Sequence, residues 1–244
     1  VVLGGKGRGL AFLDNVIKSK AEFDQFEGVK VSIPKTVVLC TDIFDKFMEE
    51  NDLYPIALSD TSDEEILEAF LKAQFPEDMR RDCEIFINAT KCPLAIRSSS
   101  LLEDSHYQPF AGVYSTYMIP YLENHEVMLS MLSKAIKSVY ASVYYKDSKA
   151  YMTATSNVID QEKMAVVLQE VVGMPHQCDG KTLYYPNMSG VLRALNYYPI
   201  GDETSEEGIA SLAMGLGKYI VDGGRTLRVC PYHPRQVLQT SEME

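Results

Sequence analysis

Short β-branched, apolar segments alternate with longer stretches of helical periodicity along this 244-residue chain, which predicts a mixed α/β (α+β) fold. Two patterns support that class. Residues 29–40, 94–97, 113–118, 163–172, 189–195 and 226–230 have the composition of strands, whereas residues 10–18, 43–51, 64–73, 76–89 and 126–152 carry apolar residues three and four apart. A hydrophobic fraction of 46% supplies a real core for one large domain or two lobes.

In chain order, Val1, Val2 and Leu3 form a strand end ahead of the glycine-rich run Gly4-Gly5-Lys6-Gly7-Arg8-Gly9, which opens the amphipathic stretch 10–18. Glycines allow close backbone approach, and the amides of a helix start favour an anion, so the run suits either a capping turn or a phosphate loop. It is not a Walker A motif, because the lysine precedes the third glycine and no Ser or Thr follows it. Residues 29–40 read as a strand broken at Pro34, Thr41 and Asp42 as the N-cap of the next helix, and the Asp60-Thr61-Ser62-Asp63 run as the start of another. Pro76 opens a further helix.

The stretch at residues 94–117 is the densest in polar chemistry. A strand ending in Arg97 delivers Ser98, Ser99 and Ser100 into a polar loop, and Phe110, Ala111 and Gly112 lead back into a second strand. Arg97 offers a planar charge that can fork onto phosphate, with hydroxyls and the open backbone at Gly112 beside it; pairing with Glu103 or Asp104 is the plainer alternative. Residues 126–152 read as one long helix whose Met128, Leu132, Ile136, Val139 and Val143 face a core. The nearly unbroken apolar run 163–172 reads as a central strand buried on both faces, ending at Gln169, Glu170, Val171 and Val172. Such an end suits an adenine edge or simply a turn. His176, Cys178 and Asp179 sit together in a loop without forming a metal motif, and no metal site is read from these residues.

Charge and cysteine usage narrow the function classes. Against 34 Asp and Glu stand 23 Lys and Arg, a net charge of −11, which argues against a general nucleic-acid or anionic-membrane surface. Five scattered cysteines with no C-x-x-C pair fit a reducing, cytoplasmic setting better than a disulfide framework or zinc site. No stretch approaches the ~18 apolar residues of a membrane span, and the abrupt start reads as a piece of something longer.

Six blocks, in order, carry a family resemblance. RSSSLLED followed by FAGVYSTY resembles the R-S-S-x-x-E-D and F-A-G-x-x-x-T pattern of the nucleotide-binding domain of phosphoenolpyruvate synthase, pyruvate phosphate dikinase and their relatives. Gly4-Gly5-Lys6-Gly7 resembles the family's opening G-G-K-G, and VKVSIPKTVVLCTDIFDKF its next segment. MAVVLQEVVG, SGVLRAL and GLGKYIVDGG resemble its later blocks. The resemblance implies an ATP-grasp-like domain of two lobes, residues 1–109 and 110–244, the second incomplete at its C-terminal end, with ATP between them.

By the same resemblance, Lys6 and Arg97 would act in catalysis, and Lys6, Arg97, Ser98, Gly112, Thr116, Gln169, Glu170 and Val172 would bind ATP. The parent enzyme would pass the β-phosphate of ATP through a phosphohistidine to pyruvate or a similar acceptor. A nucleotide-sensing module without turnover keeps the same fold, and an ATP-grasp ligase shares the fold but not this motif order. Departures are local. Residues 196–204 replace the family's T-x-D-P-x-T-G-type turn, and Gln239-Thr240-Ser241 lacks the acidic pair and the arginine of the Q-x-R block. The Mg²⁺ carboxylates are therefore expected beyond Glu244 and none within this stretch. The phosphohistidine and acceptor-binding domains would be the partners, since His106, His125, His176 and His233 lack the family's histidine motif.

Overall fold

The computed structural model describes residues 2–100, 114–154, 162–221, 224 and 226–236. Two compact units divide the chain, residues 1–171 and 172–244. Strands and helices are mixed and, among the described residues, every strand pair is antiparallel, an α+β arrangement.

The first unit is built on a four-stranded sheet of order β1-β4-β2-β3, with β1 Thr36–Leu39, β2 Leu94–Ser99, β3 Thr116–Ile119 and β4 Ala165–Glu170. Residues 165–168 of β4 are fully buried between β1 and β2, as the unbroken apolar run predicts for a central strand. The strands on either side of residue 109 share this one sheet, so the unit boundary falls after β4 and not at 109/110. Alternation fixes two faces. Leu94, Ile96, Val166, Leu168 and Leu39 point to a helical layer and are at most 2% exposed.

That layer is held by aromatic packing. Helix α2, Thr41–Glu50, brings Phe44 and Phe47 against Tyr140 of α6, His125–Ser142, with ring centroids 5.0 and 5.5 Å apart. The short α3, Tyr54–Ala57, leads to α4, Asp63–Lys72, whose Phe70 stands 6.0 Å from Phe47. Ser62 and Glu65 close a reciprocal capping box at the start of α4, satisfying two orphan amides. α5, Glu77–Thr90, begins directly after Pro76. Residues 126–152 are not one helix: α6 stops at Ser142 and α7, Lys146–Ala154, starts after a tight turn. Periodicity alone does not register that turn, which contains neither Gly nor Pro.

Residues 29–35 are irregular, and the strand there is confined to Thr36–Leu39. Pro34 has no N–H to give a neighbour, although the Lys35 carbonyl still accepts from the Glu170 amide. At the N-terminus the glycines are helical: α1 spans Gly4–Ser19, with no strand before it among the described residues.

The second unit holds a hairpin and a three-stranded sheet. β5, Met174–Cys178, and β6, Lys181–Tyr185, are joined by Asp179 and Gly180, both at positive φ (50° and 72°), as a two-residue primed turn requires. His176 and Cys178 therefore lie on a strand rather than in a loop, with His176 stacked 3.9 Å from the Tyr185 ring. β7, Met188–Arg193, pairs with β8, Ile209–Met214, which pairs with β9, Leu227–Val229. A four-residue helix, α8 (Lys218–Val221), precedes β9.

Candidate nucleotide site

The glycine-rich start of α1 is docked on the end of β2. At Gly4, φ is 68° and an added Cβ would lie 1.7 Å from the Ser99 carbonyl oxygen, so only glycine fits there. The Gly5 amide donates to the Ser100 carbonyl at 3.1 Å, and the Gly7 amide to the Ser99 hydroxyl at 3.0 Å. Ser99 in turn donates to the Leu3 carbonyl at 2.9 Å. The Gly5 amide, an orphan of the helix start, is thus satisfied just past β2, and the Ser99 hydroxyl ties Gly7 and Leu3 to the strand. The glycines serve close packing of helix on strand more than an open phosphate cradle, and the segment contributes two charges, Lys6, half-buried in the first turn, and the exposed Arg8.

Arg97 lies two residues before Ser99 on the same face of β2. Its guanidinium donates to Gln169 Oε1 at 3.3 Å, while Gln169 Nε2 donates to the Thr36 hydroxyl at 3.1 Å, which donates to the Pro34 carbonyl at 2.8 Å. This row crosses β2, β4 and β1, and Thr116 of β3 stands opposite Arg97 in register and exposed. Gln169 is 8% exposed, so it acts as a brace fixing the arginine rather than as an open ligand.

The other expected ligands divide. Ser98 and Glu170 alternate to the opposite face, where Ser98 is 1% exposed, so their side chains do not share the Arg97 surface. Ser98 and Ser99 are strand residues, not the loop expected. The amides of Glu170 and Val171 already donate to the carbonyls of Lys35 and Pro93, each at 2.9 Å, so an adenine edge would have to use other backbone groups here. Val172 opens the second unit and is 57% exposed. Gly112 lies outside the described residues.

Arg97, Lys6 and Thr116 suit a triphosphate, combining permanent charge with a hydroxyl. Carboxylates are not part of this row. Glu170, next to Gln169, faces away from it.

Two groupings escaped the sequence reading. In the second unit, Arg193, Asn196, Tyr198, Ile209 and Arg228 help line a recess of about 480 Å³. Glu207, Cys230 and His233 bring three potential ligand atoms within 4.8 Å of one another. The Cys230-x-x-His233 spacing is the one signal in the sequence that could have drawn attention to the latter.

The docked glycine run and the braced arginine fall on the blocks that resemble the dikinases, and the family comparison agrees. The chain belongs to the pyruvate phosphate dikinase AMP/ATP-binding domain family, which matches residues 1–240. It is also 25% identical over 197 residues to an uncharacterized phosphotransferase, YvkC, of Bacillus subtilis (strain 168). The match covers 80% of this chain and about a fifth (20%) of that protein's length. The family defines the chain as an AMP/ATP-binding domain. No helix among the described residues is long and apolar enough to cross a membrane.

Proposed function

We propose that this chain is the ATP-binding part of a phosphoenolpyruvate synthase-like dikinase, in which Arg97 and Lys6 hold the phosphates of ATP and Thr116 adds a hydroxyl donor. The observation that carries this reading is the row Arg97–Gln169–Thr36, fixed on the sheet face that also receives the glycine-rich start of α1. A preorganised guanidinium is what phosphoryl chemistry asks of a protein, since its share is positioning and charge neutralisation. In the longer enzyme the β-phosphate would pass to a histidine on another domain and then to pyruvate or a similar acceptor. ATP supplies the phosphoryl group; the residues here bind and orient it.

Calorimetry with Mg²⁺-ATP tests the site. Arg97→Ala removes a charge-assisted contact of about 1.5–3 kcal/mol, so affinity falls roughly 10- to 150-fold. Arg97→Lys restores only part of it, because a point charge lacks the planar fork. Unchanged ATP affinity in Arg97→Ala would place the phosphates elsewhere. An assay of AMP and phosphate release with pyruvate tests the reaction: residues 1–244 alone are expected to bind without turnover, lacking the histidine motif and the paired carboxylates. AMP formation at about 1 per second or faster would overturn that division of labour.

A further inference from the structure

We propose that Glu207, Cys230 and His233 form a binding site for a zinc-class divalent cation in the second unit, separate from the nucleotide-binding residues. The three side chains are brought together by the sheet itself. Glu207 ends the short 3-10 turn Ser205–Glu207 just ahead of β8, Cys230 follows β9 directly, and Ala210 pairs with Val229, which sets the two flanking segments side by side. His233 is placed by a tight turn in which its amide donates to the Cys230 carbonyl at 3.0 Å.

The two spacings from the carboxylate fit a tetrahedral ion, and the sulfur lies within 4.8 Å of the ring nitrogen. Glu207 Oε2 lies 3.3 Å from His233 Nε2 and 3.7 Å from Cys230 Sγ. Zinc bonds of about 2.0 Å to oxygen or nitrogen and 2.3 Å to sulfur, held at tetrahedral angles, put O and N about 3.3 Å apart and O and S about 3.5 Å apart. The orientation also points away from a simple ion pair. His233 Nε2 is buried without a hydrogen-bond partner among the described residues, although the carboxylate is near, so the ring nitrogen is not aimed at Oε2. The Cys230 thiol donates to the same carboxylate oxygen at 3.7 Å, a weak hydrogen bond that a metal bond would replace.

The surroundings prepare the site for a cation. The Thr204 amide holds the Glu207 carboxylate at 2.9 Å, as an outer partner fixes a metal ligand. Cys230 is fully buried, and Arg228, the nearest cation along β9, is engaged by Glu203 at 3.2 Å. A thiolate, an imidazole and a carboxylate select zinc-class ions over magnesium or calcium, which prefer oxygen. On binding, the Cys230 S–H bond breaks, its proton passes to the buffer, and the sulfur electron pair forms the metal bond.

The test uses the whole chain, stripped with chelator and titrated with Zn²⁺ by calorimetry and with Co²⁺ by absorption. One equivalent of either ion is expected, and Co²⁺ should give a thiolate-to-cobalt charge-transfer band that Cys230→Ser abolishes and Cys178→Ser, on the exposed hairpin, leaves intact. His233→Gln and Glu207→Gln, at partly exposed positions that spare the buried thiol, should each weaken binding at least about 100-fold, more than the loss of an outer-shell partner. Circular dichroism confirms that the variants are folded. Failure to take up an equivalent of ion, or a charge-transfer band that persists in folded Cys230→Ser, overturns the assignment.

Discussion

At the scale of single residues, the candidate site depends on one glycine and one glutamine. Gly4→Ala forces a Cβ onto the Ser99 carbonyl while keeping φ at 68°, a backbone cost of about 1–3 kcal/mol before any clash is relieved. The melting temperature should fall, and ATP affinity with it, as α1 lifts off β2; a variant with the wild-type melting temperature would show that the helix start is not held as described. Arg97 and Lys6 stand out in the sequence as cations set in serine- and glycine-rich runs, and their expected role comes from the resemblance, since such runs also serve as plain loops and capping turns. The bracing role of Gln169 was not, since it depends on a register between strands some seventy residues apart. Ser98 was misread for a related reason. A strand continues as long as its partner does, and β4 extends β2 to Ser99, past the point where a serine run suggests a loop.

At the scale of elements, α6 contains an unmet polar group. Tyr140 is fully buried between Phe44 and Phe47, and its hydroxyl has no hydrogen-bond partner among the described residues. Burial pushes the phenol well above its usual range, so the group stays neutral. Tyr140→Phe keeps the ring packing and removes the orphan, and should stabilise the protein by about 1 kcal/mol in chemical denaturation. A loss of stability would reveal a partner for the hydroxyl. The amphipathic helices were readable because their capping and apolar spacing agree, most clearly at the Ser62–Glu65 box of α4. The hairpin β5–β6 and strand β8 were not. The hairpin is largely exposed and carries no alternating burial, and β8, Ile-Ala-Ser-Leu-Ala-Met, is held by pairing with β7 and β9 rather than by its own propensity.

At the scale of the whole molecule, the second compact unit carries an acid-sensitive carboxyl of its own. Burial would raise the Glu203 carboxyl, but the Ile200 amide at 3.1 Å, the Arg228 guanidinium at 3.2 Å and the Asn196 amide at 2.9 Å together hold it below its ordinary value. A carboxyl depressed in the folded state contributes stability that is full above its unfolded pKa, near 4.5, and is lost as pH falls through the folded value. Hydrogen exchange should therefore show residues 172–244 loosening below about pH 4.5, with the pH dependence reduced in Glu203→Gln. An unaltered pH profile in that variant would remove the carboxyl from the account. The sheet of the first unit carries a consequence in time. Its central strand is the last to be made: Thr36 and Gln169 are 133 positions apart, and β4 is the one strand that β1 pairs with among the described residues. At synthesis rates of about 5–20 residues per second, a ribosome needs roughly 7–27 s to follow the first edge of that sheet with its middle. Until β4 emerges, β1 and the β2–β3 pair have no strand to join them, and that interval is the one in which the nascent chain offers open edges to chaperones or to its neighbours.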